Sequence, residues 1–90
     1  MMDALLNNSS TLTTLMRAAW RLIYTGQGIV ALSEAFEGPE PYSVRCNLAW
    51  TLRAIGEDLE RLGERLEKYV NDRAAKADIN SDDYLGPLMA

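Results

Sequence analysis

Leu48, Leu52, Ile55, Leu59, Leu62, Leu66 and Tyr69 recur at spacings of 4-3-4-3-4-3. This repeat holds one apolar seam on one side of an α-helix over three heptads, and a strand with its period of two cannot use it. Charged residues fill the positions between, with favourable i,i+4 pairs Glu57–Arg61, Glu64–Lys68 and Asp72–Lys76. The spacing predicts a helix over about 44–76 with a narrow seam and a wet outer face. Upstream stands "FEGPEPYS", residues 36–43. There Gly38 suits a helix C′ position, Pro39 and Pro41 prevent continuation, and Ser43 is a candidate N-cap for the helix that follows.

A first helix is expected over about 11–36, with caps available in "NNSST". Its apolar residues cover roughly 200° of a helical wheel, although a helix facing one partner needs only about 100°. Within residues 12–33 its charges are Arg17 and Arg21 alone. The expected fold is therefore all-α: an antiparallel two-helix hairpin whose first helix carries more apolar surface than one narrow seam can cover. Pairing of two hairpins into a four-helix bundle would bury the excess. A homodimer is favoured, with Leu15, Ala19, Leu22, Ile23, Gly26, Ile29 and Val30 as the expected oligomer interface. A chain of 90 residues buries only about 60–65% of its unfolded surface, which a dimer would relieve. Folding back of the C-terminal tail or of "MDALL" is the alternative cover.

Two glycines interrupt the second helix, each at a cost of roughly 1 kcal/mol relative to alanine. Gly56 and Gly63 share one heptad line with Ala49 and Val70, while Ala19, Gly26 and Ser33 form a similar line on the first helix. In antiparallel pairing the two lines can face each other and bring the backbones closer than the usual 8–10 Å.

The net charge of −4 is unevenly distributed. Acids and bases balance over residues 39–77, whereas 78–90 holds Asp78, Asp82 and Asp83 without a base. The chain thus divides into a helical hairpin domain, 1–77, and an acidic-apolar tail, 78–90. With Asn80, Ser81, Gly86 and Pro87, that tail is expected to be flexible. No basic footprint for nucleic acid is present, no stretch has the uninterrupted apolar length of a membrane span, and the first residues lack the pattern of a secretory signal. With one cysteine, Cys46, a cytoplasmic location is expected.

Catalysis is poorly supplied. Histidine, the commonest general base near neutral pH, is absent from the sequence, and Cys46 reads as a small hydrophobe. The acids Glu57, Asp58, Glu60, Glu64 and Glu67 lie off the seam among arginines, which reads as a solvated charged face rather than a metal site. "YTGQG", 24–28, lacks the lysine and the strand-to-helix context of a phosphate loop. No enzyme, cofactor or metal is expected. Trp50 lies about 160° from the seam beside Arg53. It either packs under Pro39, Pro41 and Tyr42 or in an oligomer interface, or serves as an exposed aromatic anchor for a partner. The tail residues Tyr84, Leu85 and Leu88 form a candidate docking segment. Together these features predict a small bacterial or phage-type protein–protein interaction module (adaptor, regulator or inhibitor), with Trp50, Arg53, Tyr84, Leu85 and Leu88 as partner-binding residues. The alternative is a ligand-binding bundle in which Trp20, Tyr24, Arg17 and Arg21 line an inter-helix pocket.

Overall fold

The computed structural model describes residues 8–37 and 44–89, the Arg45 side chain excepted. Three helices make up this part of the chain: α1, Ser9–Glu34; α2, Val44–Lys76; and α3, Ser81–Met89. Among the described residues there is no strand.

Helix α1 begins two residues earlier than the spacing predicts. Asn8 adopts an extended backbone (φ −101°, ψ 127°), and its side-chain oxygen accepts a hydrogen bond from the Ser10 N–H at 2.8 Å. It thereby satisfies one of the four donors that a helix start leaves open. After Glu34 the chain tightens. The N–H groups of Ala35, Phe36 and Glu37 reach back three residues to the carbonyls of Leu32, Ser33 and Glu34. Helix α2 has the predicted bounds. The candidate cap Ser43 and the breakers Gly38, Pro39 and Pro41 lie outside the described residues.

Helix α2 ends in a Schellman motif built on an aspartate. Asp78 takes the left-handed conformation (φ 56°), the Ile79 N–H bonds to the Ala74 carbonyl at 2.9 Å, and the Asp78 N–H bonds to Ala75 at 3.2 Å. Those are the 6→1 and 5→2 bonds of the motif. Ile79 packs against the cluster that contains Ala74, which supplies the hydrophobic contact that usually accompanies this ending.

This reversal corrects the expected flexible tail. Residues 81–89 form α3, which folds back onto α1. Asn80 caps α3 through its side chain to the Asp82 N–H at 3.2 Å, and Asp82 and Asp83 sit in the first turn, where the helix dipole favours acids. Gly86 and Pro87 are poor helix formers, but they fall in the second half of a nine-residue helix held by Tyr84. That ring is 4% exposed. Its hydroxyl donates to the Asn71 side-chain oxygen at 2.6 Å, and its carbonyl lies 2.8 Å from the Thr13 hydroxyl. The Thr13 proton is shared with the Ser9 carbonyl at 2.9 Å.

The two long helices meet along the small-residue lines. Leu12, Ala19, Gly26 and Ser33 on α1 are buried, as are Ala49, Gly56, Gly63 and Val70 on α2. A Cβ built on Gly63 would stand 2.7 Å from the Ala19 carbonyl oxygen and 2.6 Å from Ile23 Cγ1. One built on Gly56 would stand 2.6 Å from the Gly26 carbonyl oxygen. Ala19 thus faces Gly63, and Gly26 faces Gly56. The same register sets Leu12 opposite Val70 and Ser33 opposite Ala49. Side chains between the helices are largest at the Leu12–Val70 end. There the main core gathers: Leu12, Met16, Ala19, Val70, Ala74 and Tyr84.

Candidate interaction surface

Placing the small lines at the contact divides the remaining side chains of the hairpin between two faces. In an antiparallel pair, residues at the same angular offset from the contact lie on the same face. One face is polar. Trp20 Nε1 donates to Glu67 Oε2 at 2.8 Å, Arg53 pairs with Glu37, and Glu60 lies against Gly26. Ile23 and Val30 turn to this side as well, against Gly63 and Gly56 respectively.

The other face holds the leucine seam. Leu48, Ile55, Leu62 and Tyr69 are 46, 47, 52 and 44% exposed, while Leu52, Leu59 and Leu66 are half-buried. The matching positions of α1 are Leu15, Leu22, Ile29 and Phe36, each half-buried and each seven residues from the next. Leu32, 53% exposed, lies beside them. Three heptad lines, one from α1 and two from α2, therefore form an apolar strip along one side of a molecule measuring 54 × 28 × 15 Å across its Cα atoms. Its α2 edge carries Asp58, Arg65 and Asp72, and its α1 edge carries Arg21, all exposed.

Of the residues expected at an oligomer interface, Leu15, Leu22 and Ile29 belong to this apolar strip. Ala19 and Gly26 are taken up by the α1–α2 contact, and Ile23 and Val30 lie on the opposite face. The sequence signal that separates these groups is size: the line on which small residues recur, Ala19, Gly26 and Ser33 on α1 and Ala49, Gly56 and Gly63 on α2, faces the partner helix.

The expected partner-binding residues are also dispersed. Trp50 is 64% exposed and points to the polar side, with its suggested neighbours Pro39, Pro41 and Tyr42 outside the described residues. Arg53 is held by Glu37. Tyr84 is buried, and Leu85 and Leu88 pack against the core, so the segment read as a docking motif is occupied by contacts within the chain. Burial also pushes the Tyr84 phenol above its ordinary pKa of 10.0.

Arg17, Trp20, Arg21 and Tyr24 share the outer side of α1 and do not enclose an inter-helix pocket. Arg17, Arg21 and Tyr24 are exposed, and Trp20 is engaged with Glu67. Open hollows lie among the described residues in at least two places. Asp58, Arg61, Leu62 and Arg65 line one, beside the apolar strip. Ser9, Thr13, Arg17, Asp83 and Pro87 are among the residues of another, in the crevice between α1 and α3. Among the described residues, no three side chains of the His, Cys, Asp and Glu types converge as a metal site, and no helix is long and apolar enough to cross a membrane.

No protein-family model matches the chain, and neither a curated protein nor a solved structure does.

Proposed function

We propose that the chain is a non-enzymatic protein–protein interaction module, an adaptor, regulator or inhibitor that acts by direct binding as a helical homo-oligomer. The observation that carries this reading is the apolar strip. It combines Leu15, Leu22, Ile29 and Phe36 with Leu48, Ile55, Leu62 and Tyr69, and four of these eight side chains are 44–52% exposed. Contiguous exposed apolar surface of this extent marks interaction sites in soluble proteins. The polar face offers a second contact point in Trp50, a residue type enriched at binding hot spots.

Native mass measurement of the tagged chain, purified from cells with gentle washing, tests the proposal. The expected result is a protein partner bound in fixed stoichiometry and lost on Trp50→Ala. Recovery of a small molecule that raises the melting temperature when added back would replace this reading with the ligand-binding one.

A further inference from the structure

Resting on the interaction-module reading, we infer that the occupant of the apolar strip is a second copy of this chain. It docks face to face, so that the seam of one α2 lies antiparallel against the seam of the other. Four observations support this choice.

The first is architectural. Helix α3 lies over the polar face, where Tyr84 bridges Thr13 and Asn71, whereas among the described residues no second layer covers the strip, and domains are normally completed by one. The second is pattern. The strip presents heptad-spaced side chains on both helices, and heptad knobs fit a surface of matching repeat and length. The strip itself is such a surface, so a twofold axis satisfies both copies at once. The third is charge. Arg21, Asp58, Arg65 and Asp72 at the edges sum to zero. An axis crossing α2 between Arg61 and Leu62 sets Asp58, which pairs with Arg61 at 2.9 Å within each copy, level with Arg65 of the other. The fourth is size. A standard interface takes about 800 Å² from each partner, roughly half of a 54 × 28 Å outline.

This arrangement differs from a bundle closed through Ala19 and Gly26. Those residues stay within each hairpin, and the polar faces with Trp50 point outward on both sides of the dimer, free for another protein.

Sedimentation equilibrium of the full chain, combined with circular dichroism, decides the matter. The expected wild-type mass is twice 10.0 kDa. Ile55→Glu with Leu62→Glu should return it to 10.0 kDa with helicity retained, and Trp50→Glu should leave the dimer intact. Should the double variant fail to fold, Leu62→Cys in a Cys46→Ala background provides the second measurement: a disulfide-linked dimer under mild oxidation is expected. A wild-type monomer, a dimer untouched by the double variant, or absence of the crosslink would each overturn the inference. A monomer that still binds a partner protein would sink the self-docking alone and leave the interaction-module reading standing.

Discussion

Gly26 and Gly56 each set a carbonyl oxygen where the other's Cβ would stand. The Cα hydrogen of each is thereby aimed at the other's carbonyl, a weak contact that recurs where helices approach closely. Adding a methyl at either position drives it into backbone that cannot rotate away. Gly28, two residues from Gly26, has nothing within 4 Å of a built Cβ. Gly26→Ala and Gly56→Ala should therefore destabilise the fold by about 1–3 kcal/mol, the usual range for overpacking. Gly28→Ala should stabilise it by up to about 1 kcal/mol through helix propensity. Denaturant unfolding of the three variants checks the opposed signs.

A Cβ built on Gly63 would stand 2.6–2.7 Å from Ile23 Cγ1 and the Ala19 carbonyl oxygen. Gly63→Leu, which improves helix propensity, is expected to lower the melting temperature substantially because a whole side chain must be housed between two backbones. An increase would show that the helices do not meet along this line.

Asp78 is the one non-glycine residue with positive φ among those described. Left-handed backbone costs an L-residue roughly 1 kcal/mol, somewhat less for aspartate, and costs glycine almost nothing. Asp78→Gly should raise stability by about 0.5–1 kcal/mol, less whatever entropy glycine adds to the unfolded chain. Thermal melts of the single variant measure it.

The two tryptophans should behave oppositely. Trp50→Ala removes a largely exposed ring and should change stability by less than about 0.5 kcal/mol, as surface substitutions do. Trp20→Phe leaves Glu67 without its donor and should cost about 1–2 kcal/mol. Equilibrium unfolding followed by far-UV circular dichroism resolves both.

Tyr84 gives the fold an alkaline edge. Its folded pKa lies above 10.0 because burial disfavours the phenolate. Its neutral form thus contributes stability in full below about pH 10, and that contribution is lost as pH rises through the folded value. Melting temperature should fall above pH 10, and Tyr84→Phe should show a shallower fall in that range. At neutral pH the same variant should cost about 1 kcal/mol for the lost bond to Asn71.

Helix α2 was legible to the residue because a dense heptad repeat follows two prolines, and both signals are local. The role of the leucine seam was not. Leu48, Ile55 and Leu62 share their seven-residue period with Ala49, Gly56 and Gly63, so periodicity alone cannot say which line meets α1. Backbone proximity decides it in favour of the smaller residues, and the leucines are displaced to the flank. The helix in the tail is hidden from the sequence for a related reason. Gly86 and Pro87 argue against a helix by propensity, whereas Tyr84 gains its burial and its two hydrogen bonds from Asn71 and Thr13, residues 13 and 71 positions away. Such contacts leave no local trace.

The pairing of Leu12 with Val70, Ala19 with Gly63, Gly26 with Gly56 and Ser33 with Ala49 makes the hairpin a ruler graduated in sevens. Adding or deleting one residue in either arm would slide bulk into the narrow positions. Length can change without penalty only by a whole heptad in both arms together, which leaves the connection and α3 as the places where this fold can vary in small steps.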